Sequence, residues 1–146
     1  MNIALVASEF NAPIPEKMLA AAREKADALG VKVVAVVRVP GSWEIPLAVK
    51  AIVGRRDVDA VVAIGALVQG ETKHDELIGD AVARALMDLM LANRKPIGLG
   101  ITGPGMTWEQ AEDRVENAVR AVDAAVRMAR DGLPRPRQNA KHRNPP

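Results

Sequence analysis

Four apolar runs of strand length divide the chain, and a stretch with helical spacing follows each one. Asn2 to Ala7 is the first run, and Ile14 to Leu29 then carries Ala, Leu, Met, Glu and Lys in a helical pattern. Pro15 falls in the first turn, where its missing N–H costs nothing, and Gly30 ends the helix. Val31 to Val39 is dense in β-branched residues and is broken by Pro40-Gly41; Ser42-Trp43-Glu44 leads into a short helix from Ile45 to Val53. Asp59 to Ala66 is a third strand, and a third helix spans Lys73 to Ala92 with Leu77, Val82, Ala85, Leu86 and Leu89 toward one side. A glycine-rich fourth strand, Pro96 to Ile101, precedes a loop over Thr102 to Met106. Thr107, with Gln110 three residues later, is a capping-box start for a last helix to Arg130.

Strands that are apolar almost throughout belong in a parallel sheet covered on both faces. Alternation with helices over short connections predicts a small doubly wound α/β domain: a four-stranded parallel sheet flanked by helices, with right-handed crossovers. Residues 1–130 form this domain; residues 131–146, without periodicity, are expected to be a disordered tail. In such folds ligands bind beyond the C-terminal ends of the strands. Four loops converge there: Ser8–Pro13, Pro40–Glu44, Ala66–His74 and Thr102–Met106.

The loop from Ile64 to Asp75, IGALVQGETKHD, holds most of the candidate chemistry. A strand that stops where a helix starts leaves free N–H groups suited to an anion, and Glu71, Thr72, Lys73 and His74 stand at that point. His74 with Asp75 or Glu71 is able to move protons near neutral pH. The alternative is plainer: Thr72 or Asp75 caps the helix and His74 is a surface residue.

Composition narrows the choices. Of 146 residues, 49% are apolar, yet no run is long enough to span a membrane. MNIALVAS reads as a strand rather than a signal peptide, and a cytoplasmic location is expected. Cysteine is absent, so disulfides, thiolate catalysis and cysteine-bound zinc are out; no histidine pair has metal-ligand spacing, and neither a metal nor a cofactor is expected. The net charge of +2 is concentrated in the last sixteen residues, which hold three arginines and a lysine against one acid. With only Phe10, Trp43 and Trp108 as aromatic rings, the folded part lacks a nucleic-acid stacking platform, and no nucleic-acid partner is expected. No dinucleotide or P-loop fingerprint is present. Phe10 either stacks on a flat ligand or plugs its own loop, and Trp43 packs at a helix edge or a subunit interface. Glu44 suits a helix start by charge alone.

Glu9-Phe10-Asn11, Val39 to Pro46 (VPGSWEIP), Ile64 to Asp75, and Leu99 to Arg114 together resemble the lumazine synthase family over residues 1 to about 130. LGITGPGMT, Leu99 to Thr107, is similar to its archaeal branch. The resemblance implies a flavodoxin-like subunit in homopentamers, often twelve as an icosahedral cage, with active sites between subunits. It implies condensation of 5-amino-6-ribitylaminouracil with 3,4-dihydroxy-2-butanone 4-phosphate to 6,7-dimethyl-8-ribityllumazine, phosphate and water, without metal or organic cofactor. Carried over by motif, Phe10 would stack on the pyrimidine, with Asn11 beside it. Ser42, Trp43 and Glu44 would meet the ribityl chain, while Ala66, Leu67, Val68 and Leu99 would line the pyrimidine pocket. Glu71 and Thr72 would hold the phosphate with Arg114 of a neighbouring subunit, and His74 would transfer protons. Leu99 stands where the family commonly has phenylalanine, and one extra residue separates it from Arg114. Val115 to Val119 replaces a glycine- and lysine-rich loop, so Arg120 and Asp123 align only loosely with a family lysine and aspartate.

Other readings are an archaeal-type riboflavin synthase on the same fold, a non-catalytic lumazine- or flavin-binding shell protein, and a flavodoxin-like electron carrier. The ETKH context of His74 favours lumazine synthase over the first. Glu44, His74 and Arg114 together disfavour storage, and Ser8–Pro13 lacks a carrier's usual Ser/Thr-rich phosphate loop.

Overall fold

A computed structural model describes residues 1–133. The elements are β1 (Asn2–Ser8), α1 (Ile14–Ala28), β2 (Lys32–Val39), a 3-10 turn (Ser42–Glu44), α2 (Ile45–Val53), β3 (Ala60–Val68), α3 (His74–Asn93), β4 (Ile97–Met106), α4 (Trp108–Glu112) and α5 (Glu116–Asp131). The strands form one parallel sheet in the order β2-β1-β3-β4. This is the small doubly wound α/β arrangement expected from the apolar runs, and it is consistent with the flavodoxin-like subunit that the resemblance implies. The chain winds outward from β1 to β2, then crosses back to β3, so the order reverses between β1 and β3. Nearly all of the proposed tail lies outside the described residues.

Alternation along the two central strands divides the core. Ile3, Leu5 and Ala7 of β1 and Ala60, Val62, Ile64 and Ala66 of β3 pack under α1 and α5, against Ile14, Met18, Ala22, Ala118, Val122 and Val126. Ala4 and Val6, with Val61 and Ala63, face Ile45, Val49 and Val53 of α2 and Val82 and Leu86 of α3. Both faces of the central pair are closed, which explains why these runs read as continuously apolar. At the edge strand β2, Arg38 reaches Glu16 of α1, with Nε–Oε1 at 2.9 Å. That hydrogen bond, aided by charge, holds the Glu16 carboxyl below its usual range. The pair is exposed and contributes little to stability.

Three expectations need correction. The stretch Thr102–Met106 is not a free loop but the distal half of β4, because Val68 pairs again with Met106 after an irregularity. The last helix is two helices: the capping box at Thr107 and Gln110 starts α4, which ends at Glu112, and a turn containing Arg114 precedes α5. Buried Thr102 explains the break, since its hydroxyl donates to the Arg114 carbonyl at 3.5 Å and accepts from the Asn117 amide at 3.3 Å. Leu77 is 64% exposed, so the buried stripe of α3 begins one turn later, at Val82.

Gly98 of β4 has a packing reason. A Cβ on Gly98 would sit 2.5 Å from the Ala121 carbonyl oxygen of α5, a backbone atom that cannot swing aside. Only glycine lets α5 lie this close to the sheet. Gly98→Ala is expected to destabilise the fold by about 1–3 kcal/mol through overpacking. Urea unfolding curves check this, and an unchanged midpoint would mean that α5 does not press on β4.

Candidate active site

At the C-terminal ends of β1 and β3, where the strand order reverses, lies a cavity of about 480 Å³. Its walls come from the loop after β1 (Phe10, Asn11), the 3-10 turn (Gly41 to Glu44), the end of β3 (Ala66 to Val68) and the entry to α3 (Gly70, Thr72, His74, Asp75, Ile78). Ligands of open α/β sheets bind at such a switch point.

The loops forming this cavity are tied together by backbone. The Glu9 N–H donates to the Val39 carbonyl at 2.8 Å and the Phe10 N–H to the Pro40 carbonyl at 2.9 Å, so the β1–β2 pairing continues past the strand ends. Asn11 takes a left-handed backbone (φ 65°), a conformation its short amide tolerates. Its Nδ2 donates to the Ala66 carbonyl at 2.8 Å, fastening the β1 loop to β3. Phe10 is thereby held by its backbone while its ring is 70% exposed, so it does not plug its own loop. Trp43 is 60% exposed at the rim. It also lines a second groove, between α2 and α3, with Leu47, Val82 and Leu89.

Glu44 approaches Gly41 from the 3-10 turn, and its Oε2 is buried with no hydrogen-bond partner among the described residues. A buried carboxylate oxygen without a donor is costly and suits a ligand hydroxyl. Ser42 is buried beside it, its hydroxyl facing Gly65. The entry to α3 is open in a different way. Lys73 is the N-cap and supplies no side-chain cap, so neither Thr72 nor Asp75 caps the helix. The first-turn N–H groups, including those of His74 and Asp75, remain available to an anion. His74 is exposed at this end.

Several residues singled out from the sequence do not reach this cavity within one chain. Glu71 is exposed between two lining residues without lining it. Leu99 is 56% exposed on β4 and borders a small hollow with Leu67, Gly79 and Pro104. Arg114 is exposed in the turn before α5 and forms no ion pair among the described residues. Arg120 is exposed on α5, and Asp123 lies 3.9 Å from Arg127 one turn away. Conversely, Gly41, Gly70 and Ile78 line the cavity, and only their place in the chain order signals it. Among the described residues no group of three His, Asp or Glu is placed to hold a metal, and no helix is long and apolar enough to cross a membrane.

Comparison with known proteins agrees with this architecture. The family model described as 6,7-dimethyl-8-ribityllumazine synthase matches residues 1–131. A curated protein of that name from Metallosphaera sedula is 50% identical over 89% of this chain and 87% of its own length. One from Staphylothermus marinus is 52% identical over 87% and 85%, and one from Methanopyrus kandleri 48% over 89% and 92%. With the match running through every element that builds the cavity, this chain belongs to the 6,7-dimethyl-8-ribityllumazine synthase family.

Proposed function

We propose that this chain is a transferase of riboflavin biosynthesis. It condenses 5-amino-6-ribitylaminouracil with 3,4-dihydroxy-2-butanone 4-phosphate, giving 6,7-dimethyl-8-ribityllumazine, phosphate and water. The observation that carries this reading is the convergence of three unlike groups on one cavity: an exposed ring at Phe10, an unpartnered carboxylate oxygen at Glu44 and an imidazole at His74. The first suits a flat pyrimidine and the second a polyhydroxyl chain. The third suits a reaction in which an amine joins a carbonyl with loss of water and phosphate departs by elimination, since each step moves protons.

In this reading the pyrimidine lies on Phe10 against Ala66, Leu67 and Val68, with Asn11 bracing the loop. Its ribityl chain extends along Ser42, Trp43 and Glu44. The butanone phosphate sits at the uncapped start of α3, beside Glu71 and Thr72, where the helix end and its free N–H groups favour negative charge. His74 adjoins the reacting carbons between the two. Leu99 and Arg114 lie outside their own chain's cavity and complete the site of a neighbouring chain. Arg120 and Asp123 make secondary contacts there.

That sharing requires a homo-oligomer; the family resemblance implies a pentamer able to close into larger shells, and the cytoplasm is the location we assign to it. Large apolar side chains exposed on α2 and α3, Leu47 at 76%, Leu77 at 64% and Leu91 at 66%, support burial against another copy.

Purified protein supplied with both substrates is expected to release inorganic phosphate, and absence of release would overturn the reading. His74→Ala should lower turnover by about ten- to a thousandfold, since a positioned proton-transfer group is worth that much or more, roughly 10²–10⁴-fold. Residual activity should remain from proximity alone. Arg114→Ala should raise KM for the phosphorylated substrate by about ten- to a hundredfold, matching the loss of a charge-assisted contact. KM for the ribitylamino substrate should change much less; equal changes would place Arg114 away from the phosphate. Sedimentation at micromolar concentration should find an oligomer, and a monomer would remove the shared site.

A further inference from the structure

Asp75 is the second residue of α3, adjoining His74, and it is 8% exposed. Among the described residues its carboxylate serves neither its own helix nor a cation. Oδ2 accepts the N–H of Gly105, thirty residues away, at 2.9 Å. Gly105 belongs to the irregular part of β4. Ala66 pairs with Thr102 and Val68 with Met106, so Leu67 alone stands opposite Gly103, Pro104 and Gly105. Those three residues therefore arch away from the sheet. The arch returns to the ladder where the Gln69 N–H donates to the Met106 carbonyl at 2.6 Å.

The arch rests on α3 at two points one helical turn apart. Asp75 holds it through Gly105, and the Pro104 ring lies over Gly79, where a Cβ would come within 3.1 Å of Cδ. On its other side Gly103, at φ 93°, lies against Leu67, and any Cβ there would collide with the Leu67 carbonyl. Leu67 and Asp75 are both walls of the active-site cavity. The first turn of α3 has no side-chain cap, and an uncapped helix end opens at little cost. Among the described hydrogen bonds, the one from Gly105 to Asp75 is the side-chain tie between that turn and the sheet.

We infer that Asp75 is a positioning residue for the condensation: its carboxylate, bound to the β4 arch, fixes the first turn of α3 and so holds His74 over the cavity. The inference rests on the role proposed for His74, and a double-mutant cycle separates the two. The full chain is assayed for phosphate release as wild type, His74→Ala, Asp75→Ala, Asp75→Asn and the His74→Ala/Asp75→Ala double variant.

Misplacing a catalytic group by an ångström costs on the order of a hundredfold, so Asp75→Ala is expected to lower kcat by about ten- to a hundredfold. KM for the ribitylamino substrate should stay within about twofold, because that substrate's proposed contacts lie on other elements. Asp75→Asn, whose amide oxygen accepts the same N–H, should recover most of the rate. In the His74→Ala background the Asp75 change should cost less than about twofold, since the two act as one unit.

Wild-type turnover in His74→Ala would remove the premise. Impaired His74→Ala with unimpaired Asp75→Ala, or with losses that multiply in the double variant, would overturn the positioning role alone. An Asn variant as slow as the Ala variant would also overturn it, since the charge rather than the tie would then matter. Should Asp75→Ala not fold, Gly79→Ala tests the same arch, since its Cβ would meet the Pro104 ring at 3.1 Å and the Leu67 side chain at 3.2 Å. A several-fold lower kcat with KM for the ribitylamino substrate unchanged supports the inference; wild-type kcat, or a raised KM for that substrate that reports a displaced Leu67 instead, overturns it.

Discussion

Both faces of β1 and β3 are sealed by helices, and this constraint decides where polar chemistry can stand. Along these strands every side chain has a packed neighbour above or below, so no charged group can be stabilised until the strands end. The polar residues accordingly gather at one rim. Ser8 marks the boundary. It is the last residue of β1, 2% exposed, and its hydroxyl has no partner among the described residues. It adjoins Gly65 together with the hydroxyl of Ser42, itself a wall of the cavity, so polar groups begin one residue inside the sheet. Unpaired buried groups of this kind are rare in folded proteins, and each calls for a specific explanation.

The same constraint explains how much was legible from residue order. Four apolar runs with helical stretches between them admit one economical solution, and the sheet, the layers and the rim of loops follow from it. Phe10, Trp43, Glu44, Thr72 and His74 were locatable because chain order places strand ends together. Interactions between distant segments were not. Nothing local in Thr102 to Met106 distinguishes a loop from an irregular strand, because the pairing partner that makes it a strand is Val68. The break between α4 and α5 likewise depends on Thr102, which reaches across from β4 to the Arg114 carbonyl. Asp75 was readable as a cap or a proton partner, and only folding brings Gly105 to it.

The placement of Leu99 and Arg114 shows a different limit. Each belongs to a motif of the family, yet one chain leaves both away from its own cavity. Motif order records which residues a reaction needs and is silent about which copy of the chain supplies them. Under the proposed assembly, a single fold would be complete as a folding unit and incomplete as a catalyst. Its exposed apolar helices and its exposed Arg114 would then be two aspects of that incompleteness.

Trp43 carries a consequence of another kind, because one indole borders both the active-site cavity and the groove between α2 and α3. A side chain shared by two recesses has one rotamer at a time, so an occupant of either that moved the indole would change the shape of the other. Thermodynamic linkage would make that influence mutual: such packing in the groove would alter affinity in the cavity by the same factor that a bound substrate alters packing in the groove. Were a second copy of the chain the occupant, saturation curves would depend on protein concentration as well as on substrate, a property no isolated pocket has.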